Sequence, residues 1–213
     1  MMKNVNEVIG FSKDVVRWSL SGGIVYQLYL CLLVAVMMLG VYAYFVQIKV
    51  GLAATNMSDI VSWGFYIANF TFLVGVAAAA VMIILPSYIF KDKDLHKVVI
   101  IGECVAIGAL IMCLMFVFVD LGAPWNAWHL MPVIGLFNWP TSLLTWDVLV
   151  LNGYLVLNLI VPSYILFCHY YNRKPVEKLY LPFVFLSIFW AFGIHLVTAF
   201  LYQGLPARPF WNN

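Results

Sequence analysis

Charge is what this sequence has least of. Lysine and arginine total 11 and aspartate and glutamate nine among 213 residues, a charged fraction of 9%. A soluble domain carries about a quarter, so this shortage, beside a hydrophobic content of 65%, excludes an ordinary soluble domain and reads as an integral membrane protein. Cysteine is also scarce and badly spaced for metal. Cys31, Cys104, Cys113 and Cys168 each fall inside an apolar run, and none forms C-x-x-C or another spacing that would cradle zinc or an iron–sulfur cluster. They read as small apolar packing residues, so a redox metal would sit on another subunit or on histidines. There is no phosphate-cradling glycine loop, zinc-protease motif or nucleophile elbow, and nothing points to nucleic acid. The first apolar run begins only after about 23 mixed residues and lacks a small-x-small cleavage site. The expectation is a protein that enters the membrane through its own helices.

What is present is a set of long apolar runs. A membrane-spanning helix needs about 20 such residues, and five runs qualify: Ile24–Gln47, Trp63–Ile89, Val98–Leu121, Leu143–Tyr170 and Leu181–Tyr202. The expected fold is an all-α integral membrane protein, a bundle of five transmembrane helices. It comprises an N-terminal segment 1–23, the bundle 24–202 and a tail 203–213. Basic residues give the direction. Lys3, Lys13, Arg17, Lys91, Lys93, Lys97, Arg173, Lys174 and Lys178 fall on one side, against Lys49 and Arg208 on the other. The positive-inside rule then places the N-terminus in the cytoplasm and the tail outside. The second and fourth runs share Trp-x5-Asn (Trp63/Asn69, Trp146/Asn152) and Pro-Ser-Tyr-Ile (Pro86–Ile89, Pro162–Ile165), a faint sign of repeated hairpins.

The passage 120–147, DLGAPWNAWHLMPVIGLFNWPTSLLTWD, holds two acids, one histidine, three prolines and four tryptophans but no Lys or Arg. It is the outer connector on the charge argument. Its tryptophans form an interfacial belt first, with Trp125, Trp128 and Trp139 as a candidate docking surface for a peripheral partner.

Ionisable groups in a span are expensive and invite a functional reading. Tyr66, Asn69, Asp120, Asp147, Asn152, His129 and His195 are all expected near the outer face. Together they suit a quinone head group, whose carbonyls want donors such as His, Tyr or Asn and whose oxidation needs a proton acceptor. Interhelical hydrogen bonding explains the asparagines equally well, and interfacial solvation the two aspartates. Glu103 lies lower, about five residues into the third span, as a proton-path element with Asn158 as a possible partner, or as a neutral buried acid bonded to a backbone carbonyl. Haem held by two histidines needs a pair at one depth on facing helices. His96, His129, His169 and His195 provide no such pair. Gly75 and Ala77–Ala80 form a small-residue face suited to close helix approach.

Three stretches carry a resemblance. They are Trp63–Val81, the Asp120-Leu-Gly-Ala-Pro124 segment with His129, and Gly204-Leu-Pro-Ala-Arg-Pro-Phe-Trp211. They resemble the NrfD-like family, the membrane subunits of polysulfide reductase and related complexes. The family's Asp-Leu-Gly-x-Pro signature maps onto Asp120, Leu121, Gly122 and Pro124, and the likeness runs from about residue 20 onward. The alanine-rich second run looks closest to the DsrP group associated with dissimilatory sulfite reduction, with the Hmc-type subunits next. The resemblance implies a quinone-reactive membrane subunit in a prokaryotic inner membrane, with menaquinone or ubiquinone as substrate and no haem or iron–sulfur cluster on this chain. It also implies a ferredoxin-like iron–sulfur partner on the outer face and further membrane and cytochrome subunits. Family members usually have more spans, so five read as a first half. In that setting Tyr66, Asn69, His129, Asn152 and His195 would bind quinone, and Asp120, Asp147 and Glu103 would carry protons. Two other readings stand beside it: a non-catalytic anchor for peripheral redox subunits, and a transporter that uses the same buried polar groups.

Overall fold

Long apolar sequences in lipid must satisfy their backbone internally, which leaves helices as the local solution. The computed structural model describes residues 5–58, 60–61, 63–88 and 93–204, and these are almost wholly helical, with no strand among them. The helices are α1 (Val5–Leu20), α2 (Ile24–Val50), α3 (Phe65–Tyr88), α4 (Lys93–Asp120), α5 (Leu143–Tyr170) and α6 (Glu177–Gln203). Two short 3-10 turns, Leu52–Thr55 and Pro124–Leu130, lie in connectors. Helices α2 to α6 each contain a stretch long and apolar enough to cross a membrane. The fourth expected span coincides with α5, and the others differ by a few residues at their ends. Helix α6 begins earlier than expected because its first turn takes in the polar Glu177 and Lys178, the acid being favourable there against the helix dipole. Ile89 of the Pro-Ser-Tyr-Ile echo and the tail beyond Gly204 lie outside the described residues.

The chain divides into two compact units. The larger, residues 57–164 and 176–213, contains α3, α4, most of α5 and α6. Its inward positions follow alternating steps of three and four. On α3 they are Ile67, Phe70, Val74, Ala77, Val81 and Ile84, and on α4 Val99, Glu103, Ala106, Leu110 and Cys113. On α5 they are Asp147, Leu151, Tyr154, Asn158 and Val161, and on α6 Val184, Ser187, Ala191, Ile194 and Thr198. That period is the packing seam of helices crossing at small angles. The outward faces are apolar too, with Phe72, Met82, Ile101, Val105, Phe189, Phe192 and Leu196 exposed, as lipid contact requires. One close contact joins α5 and α6. Trp190 donates from Nε1 to the Val150 carbonyl at 2.8 Å, and its ring occupies the space where a Cβ on Gly153 would fall, 2.4 Å from the nearest ring atom.

The smaller unit, residues 1–56 and 165–175, contains α1, α2 and the end of α5. Helix α2 exposes almost its whole apolar surface, Gln47 being its one buried residue. Helix α1 rests on the last turn of α5. Phe11 meets Phe167 and Tyr170 edge-on at 5.6 and 5.4 Å, Tyr170 donates its hydroxyl to Asp14, and Arg173 grips both Glu7 oxygens at 3.0 and 3.1 Å.

Replacing Gly153 with alanine must displace the Trp190 indole and its bond to Val150. The expected loss is about 1–3 kcal/mol, read as a lower melting temperature in detergent, whereas alanine at Gly75, inside α3 with open space around the backbone, should not lower the melt and, by helix propensity, raises it slightly. The Arg173 hydrogen bonds hold the Glu7 carboxyl below its ordinary range. The pairing is therefore complete above the ordinary carboxylate pKa and is lost as pH falls through the lowered value. Hydrogen exchange of α1, corrected for intrinsic rates, should accelerate over that acid window and should already be fast at neutral pH in Glu7→Gln.

Candidate functional site

In the larger unit the helices alternate in direction. The start of α3, the end of α4, the start of α5 and the end of α6 meet where the 121–142 connector lies. Tyr202, near the end of α6, ties that end together. Its hydroxyl is hydrogen-bonded to Thr71 and lies 3.5 Å from the Ile67 carbonyl, and its ring meets Trp63 edge-on at 5.5 Å. Cys113 on α4 lies 3.6 Å from the Phe70 carbonyl of α3.

Asp147 enters this layer from the first turn of α5. Its side chain is 1% exposed, and neither carboxylate oxygen has a hydrogen-bond partner among the described residues. It lies within electrostatic reach of both Cys113 and Tyr202. The Thr198 hydroxyl, one turn before Tyr202, is likewise buried without a partner. A carboxyl in such a place is a poor permanent ion and a good temporary host for a proton. Asp120, closing α4 at the same end, is half-buried with its Oδ1 unpartnered.

A second polar layer lies deeper. Glu103 is 2% exposed with Oε2 unpartnered, on the inward side of α4, and Tyr154 is fully buried on the inward side of α5. The Tyr154 hydroxyl lies 3.4 Å from the Ala77 carbonyl. Asn158 is buried, but its amide donates to the Tyr154 carbonyl on its own helix at 2.9 Å. Glu103 Oε2 makes no hydrogen bond to Asn158, the possible partner offered by the sequence.

Two grooves open on the outside of this unit. One, of about 370 Å³, lies between α3 and α6, lined by Gly75, Ala78, Ala79, Ala191, Phe192 and His195 among others. The small α3 residues leave the space that His195 faces. His195 Nδ1 sits 3.2 Å from the Ala191 carbonyl. A carbonyl only accepts, so a hydrogen bond there has Nδ1 as its donor, and in that tautomer Nε2 is the nitrogen left as an acceptor. The other groove, of about 480 Å³, lies between α5 and α6 and includes Asn152, Val156, Phe183 and Trp190.

Of the residues singled out from sequence, Asp147 and Asp120 share the connector end, and Tyr66 packs there against Phe116 at 6.2 Å. His195 and Asn152 fall into different grooves. The amides of Asn69 and Asn152 donate to Phe65 and Val148, each four residues back on its own helix, at 2.8 Å. His129 stacks edge-on with Trp128 at 4.1 Å on the Pro124–Leu130 turn. That turn is folded against Gly135, where a Cβ would fall 2.5 Å from the Trp128 and His129 carbonyl oxygens. Trp125, Trp128 and Trp139 are exposed, and Trp139 packs on Trp146 at 3.7 Å. Among the described residues no three His, Cys, Asp or Glu side chains gather as a metal site. Tyr202, Thr198, Thr71 and Tyr154 were not singled out. Thr198 and Tyr154 occupy inward positions of α6 and α5, where apolar residues on both helix faces leave no periodic signal that would find them.

A family model described as polysulphide reductase, NrfD, matches residues 53–213. A selenate reductase subunit from Mesobacillus selenatarsenatis is 25% identical over 141 residues, 66% of this chain and 32% of that protein. The Hdr-like menaquinol oxidoreductase integral membrane subunit of Archaeoglobus fulgidus is 26% identical over 182 residues, 85% of this chain and 43% of its own length. The chain thus spans less than half the length of these relatives. No solved structure matches.

A buried carboxyl kept without partners opposes stability. Asp147→Leu, of similar volume and without polar atoms, should stabilise the larger unit by about 1–3 kcal/mol, seen as a higher melting temperature in detergent. A lower one would mean that Asp147 makes bonds the unit depends on.

Proposed function

This chain belongs to the polysulphide reductase NrfD family, and on that premise we propose that it is a quinone-interacting membrane subunit of a respiratory redox complex. The observation that carries the reading is the α3/α6 groove, where one imidazole faces an otherwise apolar, lipid-side space. A lipid-soluble quinol can reach such a groove from the bilayer without crossing a polar surface. His195 Nε2 accepts the hydrogen bond of a quinol hydroxyl and orients the ring. Oxidation of the quinol releases two protons and two electrons. Asp147 and Asp120, at the connector end, receive and pass on the protons, with Glu103 and Tyr154 as the deeper station. The electrons leave by tunnelling to an iron–sulfur cluster on a ferredoxin-like partner, docked on the exposed Trp125, Trp128 and Trp139 at the outer face of a prokaryotic inner membrane. The name of the Archaeoglobus relative, a menaquinol oxidoreductase subunit, favours menaquinone as the substrate. Tyr66, Asn69 and His129 are the further proposed quinone contacts, Asn152 belongs to the other groove and has no part in this site, and sulfur-compound metabolism is the proposed setting.

The test is quinol-linked electron transfer by the assembled complex. His195→Ala and Asp120→Asn should each lower quinol-dependent turnover by at least about 100-fold, the scale of a lost acid–base group, with assembly of the complex intact. Full turnover in both variants would refute the site assignment and leave the chain as an anchor for peripheral redox subunits.

A further inference from the structure

Helix α1 has no part in the proposed quinone chemistry, yet it is held at both ends. Near its C-terminus, Tyr26 and Gln27 in the first turn of α2 donate to the Ser19 and Leu20 carbonyls at 2.6 and 2.7 Å, groups that a helix end leaves without partners. Along its length it sits on α5. Contacts on α1 run from Glu7, with Arg173, to Trp18, whose ring is 5.7 Å from that of Tyr170. That is about 16 Å of α1 at 1.5 Å per residue, set against about one turn of α5. Helix α1 therefore crosses the end of α5 instead of running beside it. Both anchoring points are ends of apolar, membrane-length helices, which fixes α1 at the depth of the lipid head groups. At 16 residues it is too short to span.

Its faces are divided accordingly. Glu7, Gly10, Phe11, Asp14 and Trp18 turn towards α5. On the opposite side Val5, Ile9, Val16 and Leu20 fall within about 60° of arc at 100° per residue, and they are 74, 46, 58 and 63% exposed. Lys13 and Arg17 follow at the edge of that stripe, both exposed. The two acids of α1 are engaged elsewhere, Glu7 by Arg173 and Asp14 by Tyr170, so the exposed edge is basic only.

We propose that α1 is an interfacial helix that binds anionic phospholipid, with Val5, Ile9, Val16 and Leu20 in the acyl boundary and Lys13 and Arg17 on the head groups. The experiment is hydrogen exchange of the full chain, reconstituted in vesicles of phosphatidylcholine alone or of phosphatidylcholine with phosphatidylglycerol. Amides of residues 5–20 should exchange more slowly in the anionic vesicles, by about fivefold for each of the two basic residues. The difference should vanish at high ionic strength in the unaltered chain and in Lys13→Glu/Arg17→Glu, whose exposed positions leave the fold intact. Equal exchange in the two vesicles overturns the proposal. So does slowing that persists in the charge-reversed chain, or protection that arises only in the complex with its protein partners, which would make this stripe a protein interface.

Discussion

The structure depends on one constraint, the cost of holding a polar group where water does not reach. Helices α2 to α6 are apolar on nearly every side, so the apolar effect alone does not tell the inside of the larger unit from its lipid face. Polar groups supply the distinction. Glu103, Asp147, Asn158, Ser187 and Thr198 all fall on inward positions, because an ionisable side chain facing hydrocarbon costs at least about 2.5 kcal/mol near the bilayer centre. The same desolvation that drives them inward leaves Asp147 without a hydrogen-bond partner, and a carboxyl so placed exchanges protons more readily than it holds charge.

That constraint also explains what was legible in the sequence. The ends of α5 could be read directly, because the charged and aromatic connector on one side and Asn172-Arg173-Lys174 on the other mark them sharply. The spans of α3, α4 and α6 were legible for the same reason, to within a few residues. The inward register was not. With Phe189 and Phe192 exposed and Ile188 and Ile194 buried on one helix, apolar residues occupy both faces and the three–four period disappears among them. Thus Thr198 passed as an ordinary span residue, and His195 gave no sign of facing a groove apart from Asn152. Helix α1 was hidden differently. Along the sequence its apolar positions alternate with Glu7, Lys13, Asp14 and Arg17, a mixture that gave only an N-terminal segment until the distant Tyr170 and Arg173 supplied partners for Asp14 and Glu7.

The α3/α6 groove joins these threads. Gly75, Ala78 and Ala79 give it depth, and His195 gives it one acceptor on a lipid-facing wall. Asp147 lies within the same unit, in the layer that Tyr202 closes. Membership of the NrfD family motivates the proposed redox role, and the groove is the proposed place for it. The most direct measurement is photolabelling of the reconstituted complex with a photoreactive quinone analogue, followed by peptide mapping. Adducts on Ala78, Ala79 or Phe192 that excess menaquinol suppresses are the predicted result. Adducts confined to the groove of Asn152 and Phe183, or none that menaquinol competes away, would contradict the account.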